Sequence, residues 1–345
     1  MTIDSRGLEV LVGKSRGVGL AVSLMAAAVM SLSAVGTVFL VASSGSSASA
    51  TNTPVPGTAA QVAAAVKSST SIKSIPSDLT PSLQSFENST EAYELSGPAY
   101  FGSCDAYDHT KEQDHPTPCL FGDTQSTKTV VLVGDSNVGN WAPGLDIGLK
   151  GAGYRLAVFG FAGCLTPDVS YSSLPGSTVP AAECRRWHAA LPSAIRSLHP
   201  LAVIAVSGAT ALASFTKRQW IAGFEKLYSE IATKATVRVL MGTSPLFPEA
   251  IPACLAAHPD PQTCALHYKF GTWWYGEYIA TDLQIASASH AKLVPTYQWF
   301  CNSGMCSPII SKYLAYADVD HLTIAYGEYL ATVVTDGLLK VIKGH

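Results

Sequence analysis

An α/β fold is predicted from about Tyr100 to the end of the chain, and three observations predict it. Short apolar, β-branched runs recur at Thr129–Val133, Tyr154–Phe161, Leu201–Ser207, Val237–Met241 and Lys292–Pro295. Stretches of helical period separate them, as at Lys217–Thr233, where Trp220, Phe224, Leu227 and Ile231 share one face. Glycine and proline punctuate the junctions, as in His199-Pro200. Continuous apolar runs read as strands buried on both faces. Strands alternating with helices predict a five-stranded parallel sheet between two helical layers, a three-layer α/β/α domain.

Residues 1–16 read as a cytoplasmic stub and residues 17–42 as a transmembrane anchor. Gly17 to Ala42 holds no charged residue, and about twenty apolar residues cross a bilayer. Lys14 and Arg16 just before it keep the N-terminus cytoplasmic. A cleaved signal peptide is the rival reading, with Ala48-Ser49-Ala50 as the cleavage site. The apolar stretch is long for a signal h-region of about 7–15 residues, which favours the anchor. Residues 43–99 read as a linker. It opens on a Ser/Ala/Thr/Gly/Pro-rich spacer to Pro56, with a short helix at Ala59–Val66 and an extended stretch at Pro76–Leu83.

Residues 100–345 make the α/β domain. Tyr100 to Asp123 reads as a cysteine-bounded surface segment. The first strand follows, then a helix to about Gly151; further helices are expected at Ala182–Leu198 and Gly276–Ser289. Leu246–Cys264 is a proline-rich insertion, and Thr323–Lys343 closes the chain as one helix.

The chain has 345 residues, 48% hydrophobic and 14% charged, with net charge −3, so no basic surface for nucleic acid is expected. All eight cysteines follow residue 100. An even count in an exported domain points to disulfides, and neighbour pairing is the simplest scheme. It joins Cys104 to Cys119, Cys164 to Cys184, Cys254 to Cys264 and Cys301 to Cys306. No Cys-x-x-Cys occurs and the histidines are not clustered, so neither metal nor cofactor is expected.

Two short motifs carry the chemistry. Gly134-Asp135-Ser136 ends the first strand where a helix begins. A hydroxyl there sits at the carboxyl edge of the sheet, beside the free N–H groups of a helix start. Near the C-terminus, Asp318-Val-Asp-His321 lies in a loop before the last helix. A carboxylate three residues from an imidazole can fix its tautomer and stabilise its cation. A capped helix start with a surface histidine is the plainer alternative for that string. Trp273 and Trp274 belong to an aromatic cluster that serves either as core or as a platform for a sugar ring.

Together these motifs resemble the SGNH, or GDSL, hydrolases. They resemble most the extracytoplasmic SGNH domain fused to bacterial acyltransferase-3 membrane proteins. That likeness rests on Cys119-Leu-Phe-Gly-Asp123, Asn140-Trp-Ala-Pro-Gly-Leu145, Gly163-Cys164 and Tyr316-x-Asp-x-x-His-Leu-Thr323. The resemblance implies a flavodoxin-like fold, with Ser136 as nucleophile, His321 as general base and Asp318 as its orienting acid. It also implies an oxyanion hole from Ser136, Gly163 and the third block, with Gly160 as a fallback glycine. That block usually reads Gly-x-Asn-Asp, whereas here Thr210 stands where asparagine would be, in Ser207-Gly-Ala-Thr-Ala211. Asn137, where the first block commonly carries His or Leu, reads as a neutral change.

The implied function is a membrane-anchored extracytoplasmic serine esterase or O-acyltransferase. Its substrates would be O-acyl groups, chiefly O-acetyl, of cell-envelope glycans or glycolipids. Hydrolysis and transfer stay open. A single expected span cannot carry an acyl group across the bilayer, so a separate membrane acyltransferase is the expected partner. The alternative is a catalytically weak or inactive binding module on the same fold.

Overall fold

In a computed structural model, the described residues are 55–101, 115–174, 177–206, 208, 214–267 and 275–344. These residues belong to one unit. In chain order the elements begin with α1 (Ala59–Ser69), α2 (Ser89–Glu94), β1 (Cys119–Gly122), β2 (Thr129–Gly134) and α3 (Val138–Ala152). Next come β3 (Arg155–Gly160), α4 (Ala181–Ser197), β4 (Ala202–Val206), α5 (Lys217–Ile231), β5 (Val237–Met241) and α6 (Ile251–Ala257). Then follow β6 (Leu266–His267), α7 (Tyr275–Ala288), β7 (Lys292–Val294), β8 (Cys301–Asn302), β9 (Met305–Cys306), β10 (Ile309–Ile310) and β11 (Tyr313–Leu314). Helices α8 (Ile324–Tyr329) and α9 (Ala331–Lys343) end the chain.

The main sheet has the order β1-β3-β2-β4-β5-β7. The expected five strands pair in parallel, and a sixth, β1, is added antiparallel at the β3 edge. That strand was expected as part of a surface segment. It is four residues long, and its Leu120 is exposed, so it carries no clean apolar alternation. Its place comes from pairing with β3 from Cys119–Val158 to Gly122–Arg155.

Strand geometry divides the core. Side chains alternate between the two faces of a strand. Val130 and Leu132 point into one layer, with Trp141, Leu145 and Leu149 of α3 and Leu338 of α9. Val131 and Val133 point into the other, with Trp187 and Leu191 of α4 and Phe224 and Leu227 of α5. All of β2 is buried, which is why its sequence is a continuous apolar run. Strand β2 pairs with β3 on one side and β4 on the other. The chain order therefore reverses beside β2, and in open α/β sheets ligands bind at that switch point.

The expected linker over 43–99 departs from the structure. From Gly57 onward the chain is folded against the domain: Val62 and Val66 of α1 lie in the core, and a Thr58–Gln61 capping box starts that helix. Gly97 N–H donates to Leu322 O, and Ile324 N–H donates to Leu95 O, so residues 95–97 brace the segment around His321. Backbone pairing across more than two hundred residues leaves no local mark in a Pro- and Ser-containing stretch. The closing helix also differs: it is two helices meeting at Leu330, with Tyr326 hydrogen-bonded through its hydroxyl to Trp299 O.

The structure joins Cys164 to Cys184, Cys254 to Cys264 and Cys301 to Cys306. Cys119 is also disulfide-bonded, while its expected partner Cys104 lies outside the described residues. The expected anchor at 17–42 lies outside them too. Among the described residues, no helix is long and apolar enough to cross a membrane.

Candidate active site

Ser136 stands between β2 and α3, two residues beyond the last residue of β2. Gly134 is required there for close approach rather than for an unusual dihedral: a Cβ on it would lie 2.5 Å from Val206 O and 2.9 Å from Thr166 Oγ1. The Asp135 carboxylate then locks the turn. It accepts from Asn137 N–H and Gly208 N–H, each at 2.9 Å, while Asp135 N–H donates to Thr166 Oγ1 at 3.0 Å. Asp135 thus ties the serine turn to the loops that follow β3 and β4. Burial raises its pKa, and the bonds from Gly208 and Asn137 oppose that rise.

His321 lies in a tight turn closed by Ala317 N–H donating to His321 O at 2.8 Å. Asp318 builds this turn from within. Its Oδ1 accepts from Asp320 N–H at 2.9 Å and from His321 N–H at 2.8 Å, the side-chain-to-backbone pattern that Asp favours in turns. The same fold delivers Asp318 Oδ2 to His321 Nδ1 at 2.7 Å, so the three-residue spacing has a mechanical cause.

The two turns meet at the carboxyl edge of the sheet. His321 Nε2 is 2.8 Å from Ser136 Oγ. Carboxylate, imidazole and hydroxyl form one continuous chain, the arrangement in which an imidazole can take a hydroxyl proton while its cation is held by the carboxylate. Burial pushes the imidazole pKa down, but Asp318 by hydrogen bond and charge, helped by Asp320 and Asp135, lifts it to about 9. Asp318 responds in the opposite sense. Burial would raise its carboxyl, yet the bond and charge of His321 hold it below the usual range.

A second carboxylate was missed in the sequence. Asp320 is buried, its Oδ1 is 3.6 Å from His321 Nδ1, and burial raises its pKa to about 6. Spacing alone does not rank Asp318 against Asp320; the distances of 2.7 and 3.6 Å do. Asp318, Asp320 and His321 also bring potential metal-ligand atoms within 4.8 Å of one another. The closest donors there, Asp318 Oδ2 and His321 Nδ1, bind each other, and Nε2 faces Ser136. That donor set matches proton transfer better than metal binding.

Asn137, read as neutral, is buried and part of the network. Its Oδ1 accepts from Asn140 Nδ2 at 2.9 Å, and its side chain also hydrogen-bonds the Asp320 carboxylate. Gly163 follows β3 with φ +80°, a conformation that favours glycine. The disulfide at Cys164 and the bond from Ser177 Oγ to Gly163 O hold its loop. Buried His188 adds a third hold through Nε2 and Leu165 O at 2.9 Å. Thr210, Trp273 and Trp274 lie outside the described residues.

The family model described as "SGNH domain (fused to AT3 domains)" matches residues 103–336. No curated protein sequence matches the chain. Among solved structures, the periplasmic domain of a lipopolysaccharide acetyltransferase from Salmonella ser. Paratyphi A is similar. It shows TM-score 0.50 and 14% identity, over 61% of this chain and 83% of that one. A GDSL-like lipase from Bacteroides thetaiotaomicron gives TM-score 0.38 and 14% identity, over 64% and 90% of the two chains. A catalytic mutant of an acetylxylan esterase from Geobacillus stearothermophilus gives 0.37 and 12%, over 63% and 94%. On the family match over 103–336, the chain belongs to the SGNH domains of the kind fused to AT3 domains, and its described residues carry the SGNH hydrolase fold.

Proposed function

We propose that this chain is an extracytoplasmic serine enzyme that handles O-acyl groups, chiefly O-acetyl, of cell-envelope glycans or glycolipids. The continuous contact from Asp318 through His321 to Ser136, at 2.7 and 2.8 Å, carries the reading. In it, Ser136 Oγ attacks the acyl carbonyl carbon while His321 Nε2 takes the hydroxyl proton. The carbonyl oxygen becomes an oxyanion, received by N–H groups of Ser136 and Gly163 and by Thr210. The intermediate then breaks its bond to the leaving alkoxide, which accepts the proton from His321, leaving Ser136 acylated. His321 next takes a proton from an acceptor hydroxyl, whose oxygen attacks the acyl-serine carbonyl. Collapse frees the acylated acceptor and returns the proton to Ser136. Water as acceptor gives an esterase, and a sugar hydroxyl gives an acyltransferase.

The paired cysteines support an oxidising, extracytoplasmic setting. We place the anchor at 17–42, the N-terminus inside and the domain outside. The fusion partner named for this family supports a membrane acyltransferase as source of acyl groups. The similar Salmonella domain belongs to a lipopolysaccharide acetyltransferase, which supports an envelope glycan or glycolipid as substrate. Threonine at 210 favours one second reading, a binding module of low or no activity serving such an acyltransferase. Acetate release from envelope fractions by wild type, absent in Ser136→Ala, is the expected result. A purified ectodomain that takes no serine-reactive fluorophosphonate would instead support the binding module.

A further inference from the structure

We infer that Asn140 is the positioning residue that registers His321 against Ser136; this rests on the reading of Ser136 as nucleophile. The residue is 1% exposed, and its side chain touches the backbone on both sides of His321. Asn140 Nδ2 donates to Asp320 O at 3.0 Å, and Asn140 Oδ1 accepts from Leu322 N–H at 2.8 Å. The amide therefore engages the carbonyl before His321 and the N–H after it, as a neighbouring strand would. That pair of bonds restrains the backbone of the residue between them, and hence where its imidazole points. Nδ2 also donates to Asn137 Oδ1 at 2.9 Å and lies 3.3 Å from Ser244 Oγ.

The other end of the clamp is the serine turn. Asn140 lies four residues after Ser136, and its N–H donates to Asn137 O at 3.0 Å; Gly139 N–H donates to Ser136 O at the same distance. Nucleophile and clamp thus ride on one helical turn, which is rigid on the scale of a hydrogen bond. The Asp318 side chain sets the imidazole's tautomer, but its bonds go to Asp320 and His321 and do not reach Ser136. Asn140 bridges from the serine turn to the backbone on both sides of His321 across a sequence gap of about 180 residues, beside the Asn137 bond to the Asp320 carboxylate and the Ser244 hydroxyl 3.3 Å from Asp320 O. A side-chain amide offers donor and acceptor together at this length: an ionised Asp has no donor, and Gln places the pair one methylene too far.

The test is fluorophosphonate labelling of the purified ectodomain, followed as a rate constant and as the fraction of molecules labelled. A misplacement of about 1 Å costs on the order of 10²-fold. Asn140→Ala and the size-matched Asn140→Asp should label fully but with the rate constant down by about that factor. For a soluble acetyl ester, kcat should fall with KM little changed. A merely structural role would lower the labelled fraction and leave the rate constant of the folded molecules alone. A folded Asn140→Asp that labels at the wild-type rate overturns the inference. Wild type that does not label, or Ser136→Ala that does, overturns the reading beneath it instead.

Discussion

Replacing Asp318 by Asn removes the charge that holds His321, and the consequence is a shift in pH dependence. In the folded protein the imidazole is lifted from 6.5 to about 9, with Asp318 as the principal cause of the rise. That lift corresponds to about 3 kcal/mol of preference for the imidazolium. The figure is an upper bound, because the Asp318 side chain is 41% exposed and water screens it. General-base chemistry needs the neutral imidazole, so the wild-type rate should rise with pH through a midpoint well above 6.5. In Asp318→Asn the burial of His321 is opposed only by Asp320 and Asp135, and the midpoint should fall. The plateau rate should drop by about 10²–10⁴-fold, since the carboxylate that fixes the tautomer and most strongly stabilises the imidazolium is gone.

Stability carries the same sign. A group whose pKa rises on folding contributes below its unfolded value and loses that contribution as pH climbs through the folded value. Wild type should therefore lose stability between 6.5 and about 9 from this pair, and the variant should not. Hydrolysis of p-nitrophenyl acetate across that range, with Ser136→Ala subtracted, reads the first effect; thermal melts at matched pH read the second. An unchanged rate midpoint in Asp318→Asn would refute the coupling of His321 to this carboxylate.

Two further outcomes test how the site is supported. Helices α3 and α9 pack with Gly148 against Thr335, where a Cβ would clash with the Thr335 side chain. Gly148→Val should therefore destabilise the domain by about 1–3 kcal/mol in chemical denaturation, through overpacking. Removing the Cys164–Cys184 bond, which spans 20 residues, should lower stability by about 3 kcal/mol on the chain-entropy account. It should also slow Ser136 labelling, because the Gly163 loop loses its covalent hold; a Cys184→Ala variant labelling at the wild-type rate would argue against Gly163 as an oxyanion donor.

Much of the parallel sheet was legible because burial on both faces leaves unbroken apolar runs, and Val237–Met241 is predicted to the residue. Strand β1 was not, being short, half-exposed and defined by its partner. Asn140 was legible as part of a family string but not as a clamp. Its partners Asp320 and Leu322 lie about 180 residues away, and an asparagine near a helix start looks locally like a turn former. The role of residues 95–97 is hidden for a related reason, since their contacts with Leu322 and Ile324 use backbone atoms common to every residue.

By itself the sequence determined the periodic parts of this protein: where apolar strands end, where helices start, and that Gly134-Asp135-Ser136 and Asp318-x-x-His321 fall on sheet-edge turns. Those features depend on neighbours within a few residues, so local chemistry expresses them. Only the tertiary structure decided how much nearer to His321 Asp318 lies than Asp320, how close the imidazole comes to the hydroxyl, and which amide keeps it there. Those are distances between turns that meet only after the sheet has assembled, and angstrom-scale distances decide proton transfer.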